Sequence, residues 1–146
     1  MKTLLNPEHK QEIINRLHAL NPTDKAVWGK MDVAQMLAHC TKPLQLAITN
    51  PKPPRQFMGR IFGKMSIPSI LGPKPFKQNG FTPKEFLITT PQDFKKQKET
   101  VLTLVSNFSS DAIGDTNHPF FGPLTVEQWG EGNFKHLDWH LTQFGK

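Results

Sequence analysis

Residues 129–144 read WGEGNFKHLDWHLTQF, and this stretch decides the fold class. Trp129, Asn133, His136, Leu137, His140, Leu141 and Phe144 recur at steps of three and four, the period of a helix that buries one face. Thr125 followed by Gln128 forms a capping box ahead of it, and Gly145 suits the residue that closes a helix. Gly130 and Gly132 weaken the first turns, each by roughly 1 kcal/mol against Ala. His136 and His140 are four apart, so their imidazoles share a face one turn apart. Two imidazoles so placed can grip one divalent metal from the same side. The same spacing also arises when one His packs in a core beside another at the surface. A third ligand elsewhere in the chain is what turns the pair into a site.

Upstream, the same helical period recurs. Asn6-Pro7 starts a first helix, with Asn as N-cap and Pro at the first helical position. Ile13, Ile14, Leu17 and Leu20 mark its buried stripe over about Pro7–Leu20, and Asn21-Pro22 ends it. Asp32 and Gln35 form a capping box for a second helix, whose stripe is Met36, Leu37, Cys40 and Leu44. His39 stands two turns into it, with Gln35 one turn earlier on the same side. Pro43 falls four residues after His39 and displaces the hydrogen bond to the His39 carbonyl, which predicts a kink or a helix boundary there. Adjacent helical residues point about 100° apart, so His39 and Cys40 are not a catalytic pair, and Cys40 reads as a small buried apolar residue. Thr90-Pro91-Gln92-Asp93 opens a later helix with Thr90 as N-cap; Phe94, Val101, Leu102, Val105 and Phe108 give it a core face down to about Asn107. Residues 109–123 read as a loop.

Between these helices lies a long connection. Pro51-Lys52-Pro53-Pro54 is a break, followed by RQFMGRIFGKMSIPSIL. Met58, Ile61, Phe62 and Met65 fall at i, i+3, i+4 and i+7, with Arg55, Arg60 and Lys64 elsewhere on the circumference. This predicts a short basic amphipathic helix ending near Pro68, with its apolar stripe packed on the core. A lid or a membrane-surface helix shows the same pattern. Gly72–Gly80 is a Pro- and Lys-rich loop, and Phe86–Thr90 reads as a short extended segment.

The chain of 146 residues is read as a single domain, 1–146, long enough for a real core. One Cys excludes an intramolecular disulfide and fits a reducing, cytoplasmic setting. No stretch is apolar enough for a signal peptide or a bilayer span, and with no Tyr there is no phenol to serve as acid or ligand. The net charge of +6 is unevenly spread. Residues 33–84 hold eight basic and no acidic side chains, whereas residues 85–146 hold five basic and eight acidic ones. Such a block can meet an anionic ligand, a nucleic acid or a membrane surface, or remain a solvated face.

Four main helices, one minor helix and no strong strand signal make an all-α domain. Its simplest form is an antiparallel four-helix bundle with one long basic crossover holding the short extra helix. Metal sites in bundles are built from inward side chains on facing helices, and His39, His136 and His140 make such a set. The segments WGKMDVAQMLAHC, from Trp28 to Cys40, and HPFFGPLTVEQWGEGNFKHLDWHLTQFG, from His118 to Gly145, resemble the DinB-like (DinB/YfiT-type) superfamily, and more narrowly one of its uncharacterised branches. The helix order between them agrees, so the resemblance covers nearly the whole chain. It implies a four-helix bundle with a divalent metal held by three His, one on the second helix and two in an HxxxH pair on the last. Carried onto this chain, it implies His39, His136 and His140 as ligands. The superfamily includes thiol-dependent S-transferases and a maleylpyruvate isomerase, beside members with no known reaction, so the resemblance implies fold and metal more firmly than activity.

Neutral imidazoles suit zinc, nickel, iron or copper rather than magnesium or calcium, with zinc or nickel foremost. Three protein ligands leave a coordination position open, the mark of a catalytic metal. Such an ion lowers the pKa of bound water towards about 7 and deprotonates a bound thiol. Each ligand His calls for a partner on its other ring nitrogen. Gln35, His118 and Asp138 are candidates, although Asp138 lies two residues from both His and should point away. The leading reading is a metal-dependent transferase or hydrolase that activates a small thiol or water. Arg55, Arg60 or Lys64 near the pocket mouth would attract an anionic substrate or a low-molecular-weight thiol cosubstrate. The alternative is a metal- or ligand-binding module without turnover, which a sealed site would favour. A nucleic-acid or anionic-surface binder acting through residues 42–84 ranks last, because Phe57, Phe62, Phe76 and Phe81 follow no recognised nucleic-acid pattern. A homodimer is compatible with each reading.

Overall fold

The computed structural model describes residues 1–80 and 82–146; Phe81, one of the four aromatics of the basic block, lies outside them. Five helices dominate: α1 (Pro7–His18), α2 (Val33–Ile48), α3 (Phe57–Leu71), α4 (Phe94–Ser106) and α5 (Val126–Gln143). A single 3-10 turn, Lys84–Phe86, and a hairpin of two-residue strands, β1 (Asn117–His118) and β2 (Gly122–Pro123), complete the described elements. The fold is therefore all-α. Among the described residues, no helix is long and apolar enough to cross a membrane.

The caps lie where short polar side chains can reach free backbone N–H groups. Asn6 accepts from Glu8 N and His9 N at the start of α1, and both the Asp32/Gln35 and Thr125/Gln128 capping boxes are complete. Gly145 follows α5 with φ +70, as expected of a closing glycine. Three boundaries differ from the sequence reading. Asp93, not Thr90, caps α4: its carboxylate accepts from Lys96 N, which leaves Thr90 and Pro91 outside the helix. Pro43 is no boundary, since α2 continues to Ile48. Nor does Pro68 stop α3, which runs on to Leu71 with Gly72 N donating to Pro68 O. In both cases the missing N–H costs one bond, and the next turn still forms.

Helices α1 and α2 each pack against both α4 and α5, with the longest contact between α2 and α4. The shared core takes Ile13 and Leu17 from α1, Met36, Leu37, Cys40 and Leu44 from α2, and Val101 and Val105 from α4. Trp129, Leu137 and Leu141 close it from α5. Burial of this order contributes about 1.5–3 kcal/mol for each large side chain, before the entropy of ordering is counted. Cys40 is fully enclosed, its thiol pushed well above the ordinary range by burial, so it behaves as the apolar residue expected.

Helix α3 departs most from its sequence pattern. The stripe Met58, Ile61, Phe62 and Met65 was expected on the core, but all four are exposed, as is Phe57. The buried residues of α3 are Gly59 and Gly63. These two glycines, one turn apart, lie directly against the backbone of Phe120, and a Cβ on either would collide with the Phe120 carbonyl. The close approach selects the glycine face and turns the apolar one outward.

Lys52 belongs to the basic block but is buried. Its ammonium donates to Ala47 O and Thr49 O, both at 2.8 Å, at the C-terminal end of α2, and it lies 5.3 Å from the Trp129 ring centroid. It thus satisfies carbonyls that a helix end leaves free and sits at the negative end of the helix dipole.

Candidate metal centre

The capping box fixes where α2 starts, and His39 two turns later faces α5. On α5, Asn133, His136 and His140 fall at i, i+3 and i+7, so one face presents all three. Leu137 and Leu141, on the neighbouring face, enter the core. The three imidazoles meet as a nearly regular triangle, with centroids 4.8 Å apart for His39–His136 and 4.7 Å for the other two pairs. One nitrogen from each lies within 4.8 Å of the others. Ligands about 2.0–2.1 Å from a tetrahedral zinc stand about 3.3 Å from one another, so small side-chain adjustments give that geometry.

The outer nitrogens determine which lone pairs face inward. His39 Nδ1 is 2.9 Å from Phe86 O, an acceptor, so Nδ1 carries the proton and Nε2 is left with a lone pair. His140 Nδ1 is 2.8 Å from Gln143 Oε1, and Gln143 Nε2 donates to Trp28 O at 2.6 Å. That second bond fixes the amide orientation, so His140 Nδ1 donates and its Nε2 is also free. His39 Nε2 and His136 Nε2 lie 2.9 Å apart, and His136 Nδ1 is buried with no partner among the described residues. Two imidazoles are thus held in the tautomer that binds a metal through Nε2.

Burial sets the charge state. It holds His39 below its ordinary pKa, against an opposing pull from Phe86 O. His136 is lowered further, by burial first and then by His140 and His39. His140 is lowered to about 4 by burial and by His39, with Gln143 opposing. At neutral pH all three are uncharged, the form that ligates.

The triangle opens on a cleft of about 1260 Å³, larger than the roughly 300–1,000 Å³ of ordinary ligand pockets. Aromatic residues wall the region nearest the imidazoles: Trp28 and Trp139 pack at 5.1 Å, and Phe76 lies edge-on to both Trp139 and His136. Ile67 and Leu71 of α3 line another side. The charged lining is Lys30, Lys42 and Lys77, with Glu85 the one acid among the described residues.

Several sequence-proposed roles fall elsewhere. Gln35 is held by its capping box, with a further 3.4 Å contact to Thr90 O, and does not reach the imidazoles. His118 accepts from Phe120 N and Phe121 N through Nδ1 and so shapes the hairpin; its pKa falls to about 4 through burial, Arg55 and Lys52. Asp138 does point away, to Arg16 at 2.6 Å. Arg55, Arg60 and Lys64 do not line the cleft. Arg55 donates to Gly59 O and packs on Gly122, while Arg60 and Lys64 are exposed. The partners found instead are Phe86 and Gln143. Gln143, three residues after His140 on a helix, was legible in principle. Phe86 contributes only a carbonyl, which any residue could supply.

A family model described as "Protein of unknown function (DUF1569)" matches residues 2–146. No curated protein and no solved structure matches the chain.

Proposed function

This chain belongs to the DUF1569 family of proteins of unknown function, and we propose that it is a metal-dependent enzyme whose ligands are His39, His136 and His140. The observation that carries the reading is the convergence of three neutral imidazoles, two of them proton-fixed by Phe86 O and Gln143 Oε1, at the wall of a roomy cleft. The donor set fits zinc or nickel. An ion held there would supply Lewis acidity and would acidify a water or thiol bound to it. The protein's own residues then bind and orient. Trp28, Phe76 and Trp139 exclude water around the imidazoles and offer flat faces to an apolar part of a substrate. Lys30, Lys42 and Lys77, rather than Arg55, Arg60 and Lys64, draw in a small anionic molecule or thiol. The pairing of α1 and α2 with both α4 and α5 supports an antiparallel four-helix bundle of the DinB-like kind, formed by residues 1–146 as one domain. Such a protein operates in the cytoplasm, where low-molecular-weight thiols are abundant and Cys40 stays reduced.

Metal analysis of the purified chain tests the reading, followed by a thiol-transfer and hydrolysis screen. One transition-metal ion per chain is expected. A metal at a hundredfold excess over Kd should stabilise the folded form by about 2.7 kcal/mol. His136→Ala should erase that gain, and equal melting shifts in both proteins would remove the metal from the account.

A further inference from the structure

We propose that the outer face of α3 docks on an anionic lipid bilayer surface. At about 100° per residue, Phe57, Ile61, Met65, Met58 and Phe62 fill an arc of about 140° opposite the buried glycines. Their exposures are 73%, 52%, 76%, 53% and 46%, which makes one continuous apolar strip on a single helix. Scattered surface apolar residues are ordinary, but a contiguous strip of five large ones marks a contact surface.

The charge around the strip selects the occupant. Arg60 and Lys64 are exposed along one border of the arc, and α3 contains no acid. No acid occurs between Asp32 and Glu85, and Glu85 itself meets α3 only at its N-cap, where Gln56 Nε2 donates to it at 2.9 Å. Phe, Met and Ile on one face with basic residues at its edge is the composition of helices that lie in the lipid interface, apolar side down, with cations snorkelling to the headgroups. A second copy seated face to face would set Arg60 and Lys64 of each chain against a helix with no carboxylate to pair them. A nucleic acid would leave Met58, Ile61 and Met65 without a partner, since phosphates contact cations rather than aliphatic chains. Lipid satisfies both halves of the face.

The opposite side of α3 supplies Ile67 and Ile70 to the cleft wall. A bilayer under α3 therefore lies about one helix diameter, about 10–12 Å, from that cleft.

The test is flotation of the full chain with vesicles of phosphatidylcholine alone and of phosphatidylcholine with phosphatidylglycerol. Binding to the anionic vesicles is expected, with weakening as salt rises. The double variant Phe57→Ser, Met65→Ser should lose this binding while its melting temperature and metal content stay unchanged. A second double variant, Arg60→Gln with Lys64→Gln, should weaken it about thirtyfold, from the worth of two surface charges. Binding unaffected by both variants, or no binding to anionic vesicles, overturns the proposal. So does a dimer that the Phe57/Met65 variant converts to monomer, or tighter capture by a single-stranded oligonucleotide than by vesicles. Metal content is read separately, so loss of the three-His site and loss of lipid binding are distinguishable.

Discussion

Helices α5 and α3 share a periodicity and use it in opposite directions. Each carries apolar residues at three- and four-residue steps, with polar groups beside them. In α5 the stripe enters the core and delivers His136 and His140 to the edge of the cleft. In α3 the stripe faces out, and two glycines take the inner side. The difference lies in what the neighbour offers. Helix α5 meets side chains of α1 and α2, which interlock with Leu137 and Leu141. The first turns of α3 meet the bare backbone of the Phe120 turn, which admits no side chain at Gly59 or Gly63, and only its last turn reaches α5. Periodicity thus establishes that a helix has two faces, and close approach decides which one turns inward.

Four measurements break or sharpen that contrast. The largest effect is expected in α5. Leu141→Ala removes a fully buried side chain and should cost about 2–5 kcal/mol in urea unfolding. A loss below about 1 kcal/mol would mean that α5 is not the core helix described. Next, Gly63→Val places methyl groups against the Phe120 carbonyl and should cost about 1–3 kcal/mol, with the strain local to α3 and the hairpin. Faster proteolysis within residues 57–71 would locate it, and wild-type behaviour would show that the glycine contact does not set the orientation.

The third measurement is pH. The imidazoles on α2 and α5, and His118, have folded pKa values below their ordinary 6.5, two of them near 4. Between about pH 6.5 and pH 4 the unfolded chain therefore binds more protons. The stabilisation from neutral His is fully present above 6.5 and is lost as pH falls towards 4. Metal-free protein should show its urea midpoint falling steadily over that range, and a flat midpoint would contradict burial of the cluster. Helix α3 carries no His, Asp or Glu, so none of this slope originates there. The smallest effect is Met65→Ser, which should alter stability by no more than about 0.5 kcal/mol because 76% of the residue is already exposed.

The contrast also separates what was legible in the sequence from what was not. Caps at Asn6, Asp32 and Thr125 could be read because a short polar side chain satisfies N–H groups within three residues of itself. The meeting of His39, His136 and His140 could be read because helix spacing is local, bundle topology sets which helices face one another, and the resemblance implies the same three positions. Thr90 and Asp93 both precede the same apolar run, and Asp93 takes the cap by accepting from Lys96 N. The outward face of α3 was hidden because the decisive partner, Phe120, is more than 50 positions away in sequence. The same holds for Lys30, Lys42 and Lys77, which reach the cleft from three separate segments.

Lys52 makes one of the block's positive charges different from the rest. Its amine is enclosed by two carbonyls and the Trp129 ring, and burial holds its pKa below the ordinary value. An acylating reagent that marks exposed lysines within seconds can reach Lys52 only when the end of α2 lets go. The lag between labelling of Lys64 and labelling of Lys52 is then a clock for that opening, readable by mass spectrometry without any mutation.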